Sequence, residues 1–131
     1  MESALFHLDS VVALLEREPE ICAVFLHGSA TKGTMRPDSD LDLAILPAAG
    51  KTLAAERRLD LAARLTEATG RQVDLGVLGT RNLVYAKEII EHGRLLFTKN
   101  RVHSETCLAL YLALYADLQQ SRKEVLRAYA A

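Results

Sequence analysis

Two short patterns in the first third of the chain combine residue types that bind phosphate and metal ions. Gly28 and Ser29 follow an apolar run, and ten residues separate them from Asp40 and Asp42. A glycine allows backbone amides to approach a phosphate closely, and the serine hydroxyl adds a donor. Alternate residues of a strand share one face, so Asp40 and Asp42 should occupy one small space. Such carboxylates repel one another unless a cation lies between them, and Mg²⁺ prefers oxygen ligands of this kind.

A third acid, Asp74, lies between Val73 and Leu75 in another apolar segment. If the two strands are neighbours, Asp74 joins Asp40 and Asp42. Two metal ions about 3.5 to 4 Å apart, held by such acids, stabilise both the attacking and the leaving oxygen of a displacement at phosphorus. The pattern therefore predicts nucleotidyl transfer with two Mg²⁺ ions, in which Asp74 serves as proton acceptor, metal ligand or both. The alternative is that Asp74 simply pairs with a nearby arginine.

The loop between the two patterns carries two cations, Lys32 and Arg36, that could screen phosphate charge. A Walker A loop is excluded, because that motif requires a lysine after its last glycine and Lys32 precedes Gly33.

Helix and strand patterns alternate along the chain, which predicts an α/β domain around a mixed sheet. An amphipathic first helix should end near Glu18, before Pro19. Thr52 can cap a second helix that ends at Gly70. The remaining predicted elements are strands at Ile21–Leu26, Asp40–Leu46, Gln72–Leu78 and Arg94–Thr98, a helix at Asn82–His92, and one long helix or two shorter ones over Ser104–Tyr129.

Composition indicates one domain over residues 1–131, half of them hydrophobic. Lys+Arg 16 against Asp+Glu 17 gives no long-range field for nucleic acid or a membrane. Neither a signal peptide nor a membrane span is evident, so we expect a cytoplasmic protein. Cys22 and Cys107 suit reduced thiols better than a disulfide framework.

The segment from His27 to Asp42 resembles the signature of the minimal nucleotidyltransferases in the DNA polymerase β superfamily: Gly-Ser, ten residues, then Asp-x-Asp. Val73-Asp74-Leu75 resembles the strand that bears the family's third acid. The resemblance implies that Gly28 and Ser29 bind the nucleotide triphosphate, that Asp40 and Asp42 bind magnesium, and that Asp74 completes the triad. The sequence departs from the usual pattern at Lys32, where arginine is more common, and at His27, where an aromatic residue often stands.

Members of this type resemble antitoxins whose partner is a helical HEPN ribonuclease toxin. The resemblance implies AMP transfer from ATP to a tyrosine hydroxyl of that toxin, with a homodimer or a hetero-oligomer as the assembly. Two alternatives stay open: transfer to a small-molecule hydroxyl, and a steric antitoxin without chemistry.

Simpler interpretations exist for other residues. An Asp-x-Asp pair alone is more often a solvated strand edge. His27 could contact a phosphate, although an end cap for the strand is the more common role. A stripe at helical spacing most simply packs on the core; it comprises Leu108, Tyr111, Leu112, Tyr115 and Leu118.

Overall fold

The computed structural model describes the backbone of residues 2–31 and 39–130, and the side chains of 8–31 and 39–130. The fold is α/β, as predicted. In chain order the elements are α1 (Glu2–Leu15), β1 (Ile21–His27), a 3₁₀ turn (Gly28–Ala30), β2 (Leu41–Pro47), α2 (Ala55–Thr69), β3 (Val73–Val77), α3 (Leu83–His92), β4 (Arg94–Thr98) and α4 (Arg101–Ala130).

The four strands form one mixed sheet in the order β3-β2-β1-β4. β1 lies between β2 and β4 and runs antiparallel to both, whereas β2 and β3 are parallel. The central strand β1 is buried from Ile21 to Leu26, as its continuous apolar run predicts. The predicted neighbourhood of the strands that carry Asp42 and Asp74 is therefore confirmed.

Helices cover both faces of the sheet. One apolar cluster joins α1 and α2 to the sheet, and Leu15, Leu61 and Leu43 lie at its centre with no exposed surface. A second cluster joins α3 and α4 to the opposite face through Ile89 and Tyr111. Burial of these side chains stabilises each by about 1.5 to 3 kcal/mol relative to exposure.

Some predicted element boundaries are wrong. Thr52 does not cap α2: the N-cap is Ala54, so this helix begins without a capping side chain, and the packing of its buried Leu61 and Leu65 stabilises it further along. α1 ends at Leu15 rather than Glu18. α4 begins at Arg101 and continues unbroken to Ala130, so the long-helix alternative is the correct one.

The predicted cap at Gly70 is confirmed: its φ of 71° is left-handed, and its amide donates to the Thr66 carbonyl at 2.9 Å. The predicted packing stripe on α4 is confirmed only in part. Tyr111 is buried, but Leu112 is 40% exposed because it lies about 100° further around the helix.

An ion-pair network connects the loop before β1 to α2. Arg57 bonds the Glu18 carboxylate and donates to Glu20 at 2.7 Å, and Arg64 donates to Glu18 at 3.4 Å. Glu18 is buried, so these partners compensate for the loss of water around its charge.

Neither cysteine is in a disulfide; Cys22 is buried and Cys107 half-buried. Within the described parts of the chain, no helix has both the length and the apolar character needed to cross a membrane.

Candidate active site

Three polar side chains lie in one row across the end of the sheet. In β1, His27 pairs with Asp42 of β2, and Asp42 pairs with Asp74 of β3. Paired residues on neighbouring strands point to the same face. Asp42 shares that face with Ala44 and Leu46, which pack in the cluster of α3 and α4. The site therefore lies at the edge of the α3–α4 face.

The predicted alternation within β2 is confirmed. Leu41 and Leu43 are buried at 3% and 0% exposure, whereas Asp42 between them is half-buried and Asp40, just before the strand, is exposed. Asp74 is exposed and is flanked by the buried Val73 and Leu75. Asp40 and Asp74 are thus open to solvent, whereas Asp42 between two buried leucines is partly covered.

The Asp42 carboxylate lies against the backbone of the turn after β1. Gly28 has a φ of +72°, in the left-handed region, and a Cβ at this position would come closer to Asp42 Oδ2 than real Cβ atoms approach. The turn is closed by Thr31, whose amide and hydroxyl donate to the Gly28 carbonyl at 3.2 and 2.9 Å. Gly28 is therefore required both by the backbone angle and by the carboxylate beside it. Ser29, the next residue, is half-buried in the same turn.

The electrostatics of the row centre on Asp42. Its pKa is raised, chiefly because burial disfavours the charged form, and the carboxylates of Asp74 and Asp40 raise it further; His27 opposes the shift. Negative charge is thus concentrated where a cation would be favourable.

The donor set suits a hard divalent cation. Mg²⁺ is usually held by one or two carboxylates, with water and substrate phosphates completing its shell. Asp42 at the start of β2 and Asp40 just before it supply such carboxylates. Among the described residues, no group of three or more His, Cys, Asp or Glu has the arrangement of a complete metal site. The prediction that all three acids ligate two ions therefore stays a prediction.

Sequence reasoning did not identify Tyr85. This α3 residue forms a hydrogen bond with His27, with 3.1 Å between its hydroxyl and Nε2, and the two rings meet edge to face. The available signal was Gly76, because a glycine inside an apolar strand often marks the close approach of another group. A Cβ at Gly76 would come closer than 3.0 Å to the Tyr85 hydroxyl.

His27 lies at the end of β1 as expected, but its ring contacts Tyr85. The predicted phosphate contacts Lys32 and Arg36 lie outside the described residues.

Comparison with protein families gives a match over residues 9–102 to the polymerase beta, nucleotidyltransferase domain. This range includes Gly28, Ser29 and all three acids. A curated relative, the protein adenylyltransferase MntA of Shewanella oneidensis, is 28% identical over 119 residues, which cover 90% of this chain and 84% of that protein.

Two solved structures have a similar fold. The first is a toxin–antitoxin with AMP-PNP, with a TM-score of 0.78 at 26% identity, covering 95% of this chain and 98% of the other. The second is a tri-AMPylated Shewanella oneidensis HEPN toxin in complex with an MNT antitoxin. It gives a TM-score of 0.75 over 97% of this chain and 98% of the other, and at 23% identity it supports the fold alone.

Proposed function

The chain belongs to the polymerase beta nucleotidyltransferase family, and from this premise we propose that it is an antitoxin that transfers AMP from ATP to a tyrosine hydroxyl of a partner HEPN ribonuclease toxin. The observation that carries the proposal is the register of Asp42 with Asp74, beside the left-handed Gly28 turn against which the Asp42 carboxylate lies. The relative named a protein adenylyltransferase supports a protein acceptor.

In this proposal Asp40 and Asp42 hold Mg²⁺, and the Gly28–Ser29 turn accepts the triphosphate. Bound Mg²⁺ would neutralise phosphate charge, including that of the departing pyrophosphate. Lys32 and Arg36, which lie in sequence between the turn and the acids, are proposed to contact the phosphates. Because burial raises the pKa of Asp42, its role requires a nearby cation, which favours the ionised carboxylate.

The transfer step needs one proton acceptor. The tyrosine oxygen of the toxin forms a bond to the α-phosphorus, the bond from that phosphorus to pyrophosphate breaks, and the phenolic proton passes to Asp74. Asp74 suits this role because it is exposed, so an incoming protein side chain can reach it. The product carries a bulky anionic group, which would hinder a nearby RNA-cleaving site. We propose that the reaction occurs in the cytoplasm and that residues 1–131 act as one domain.

The test is AMP transfer in a purified mixture of this protein, its toxin partner and labelled ATP with Mg²⁺. Intact mass spectrometry should show adenylate adducts on the toxin, and tandem spectra should place them on tyrosine. Transfer should be absent with chelator and in the Asp40→Asn, Asp42→Asn double variant. Asp117→Asn, an exposed acid on α4, is the matched control and should retain transfer.

The same experiment separates the alternatives. Neutralisation of the toxin by the double variant without any adduct would contradict the proposal and favour steric inhibition. Labelled AMP on a small molecule, with none on the toxin, would favour a small-molecule acceptor.

A further inference from the structure

Tyr85 is the side chain through which α3 reaches the acidic end of the sheet. Its amide donates to the Asn82 side chain at 3.2 Å, which caps the helix and fixes the first turn. From there the ring extends over Gly76, the second residue after Asp74 in β3, where the missing Cβ leaves space for the hydroxyl. A helix thus places a polar group above two strands of the site.

The Tyr85 hydroxyl forms a hydrogen bond with His27, which lies next to both the turn and the acids. His27 is the last residue of β1, the register partner of Asp42, and the residue immediately before Gly28. Tyr85 makes two contacts with the imidazole, the 3.1 Å hydrogen bond of its hydroxyl and an edge-to-face ring contact with 5.6 Å between the centroids, and together they restrain the ring. A displaced His27 would change the turn at Gly28, against which the Asp42 carboxylate packs.

We propose that Tyr85 is a positioning residue: by holding the His27 ring, its hydroxyl keeps the Gly28 turn and the Asp42 carboxylate in the geometry required for nucleotidyl transfer. The proposal rests on the proposed function, since it assigns Tyr85 a role in the same site.

The chemistry of the phenol suits this role. Burial, assisted by the charges of Asp74 and Asp42, raises the pKa of Tyr85 to about 12. The hydroxyl therefore stays protonated at neutral pH and adds no negative charge beside the carboxylates.

The test compares Tyr85→Phe, which removes one oxygen and keeps the ring, with Tyr115→Phe. Tyr115 is a suitable control because its hydroxyl is also bonded, to Gln119 on α4, at 2.5 Å. The first measurement is the ring ¹⁵N spectrum, in which His27→Gln assigns the His27 signals. Tyr85→Phe should move those signals and leave His103, whose ring bonds the Pro47 carbonyl, unchanged. Tyr115→Phe should move neither.

Kinetics supply the second measurement. Loss of one hydrogen bond that only positions the site should lower kcat roughly two- to tenfold, with the KM for ATP changed less than about twofold. The double variant His27→Gln, Tyr85→Phe should be no slower than His27→Gln alone, because both changes break the same contact. A raised KM with unchanged kcat, or additive losses in the double variant, would overturn the positioning role.

A third measurement separates failure of this inference from failure of the proposed function. Titration with Mg²⁺ alone, followed by the His27 ring signals, should give weaker binding for Tyr85→Phe than for wild type. If the wild type transfers no AMP, the proposed function fails, while this titration still decides the role of Tyr85. Equal Mg²⁺ affinity and unmoved His27 signals would refute it.

Discussion

Gly28→Ala should damage the site far more than an alanine at another left-handed glycine. Gly28, Gly50 and Gly70 have nearly identical φ angles of 72°, 71° and 71°. They differ in their surroundings: among the described residues, and apart from the adjacent residues in the chain, no heavy atom lies within 4 Å of a Cβ at Gly50 or Gly70, whereas a Cβ at Gly28 meets the Asp42 carboxylate. The three positions therefore separate the cost of the backbone angle from the cost of the contact.

The magnitudes follow from these two terms. An alanine in the left-handed region costs about 1 to 2 kcal/mol, which all three variants should lose. At Gly28 the Asp42 side chain must also leave its rotamer, at a further cost of about 0.5 to 1.5 kcal/mol. For a chain of this length the additional cost corresponds to a melting temperature lower by roughly 2 to 6 °C.

The effect on activity should be larger than the effect on stability. Displacing a reacting group by about 1 Å can cost on the order of 100-fold in rate. We therefore expect Gly28→Ala to lose about 100-fold or more in AMP transfer, measured well below its melting temperature, while Gly50→Ala and Gly70→Ala stay within about twofold. Wild-type transfer by folded Gly28→Ala, or equal losses in all three variants, would refute the reasoning.

Two further predictions concern charge. Burial raises the Asp42 pKa, so the folded state binds the carboxyl proton more tightly than the unfolded state does. Ionised Asp42 therefore lowers the free energy of unfolding at pH values above its folded pKa. This penalty disappears as the pH falls towards 3.8, the ordinary pKa of an aspartate in the unfolded chain. With chelator present, Asp42→Asn should therefore have a higher melting temperature than wild type at pH 7, and this difference should disappear in acid. A rise in melting temperature no greater than that of Asp117→Asn would contradict the prediction. Arg57→Met should lower the free energy of unfolding by about 1 to 2 kcal/mol, a value reduced because Arg57 is 35% exposed. Of the two arginines that pair with the buried Glu18 carboxylate in the described part of the chain, the variant keeps Arg64. The control is Arg101→Met, which breaks an exposed ion pair with Glu105 and should lower the free energy of unfolding, measured with denaturant, far less than Arg57→Met does. Equal decreases in the two variants would mean that burial of Glu18 is unimportant.

Much of the fold could be predicted because its signals are local. The apolar run of β1 and the left-handed cap at Gly70 are each determined by the residues themselves. The start of α2 could not be predicted in this way. Thr52 has a good capping side chain, but the helix begins at Ala55, and its first residues are exposed, so neither the capping pattern nor the apolar pattern marks this boundary.

The candidate site likewise has a part that local sequence signals predict and a part that depends on tertiary packing. Strand alternation predicts that Asp40 and Asp42 share a face, and pairing of β2 with β3 brings Asp74 beside Asp42. No local signal states which helix covers that face. Tyr85 reaches His27 because α3 packs on the face of the sheet that carries Asp42. The two residues in direct contact are therefore 58 positions apart in the sequence. Gly76 connects the local sequence to the tertiary packing: in the sequence it indicates only that some group approaches the strand closely, and in the structure that group is the Tyr85 hydroxyl, which any side chain at this position would displace. The glycine is thus explained by the tyrosine above it, and its requirement becomes visible only after the helix is in place.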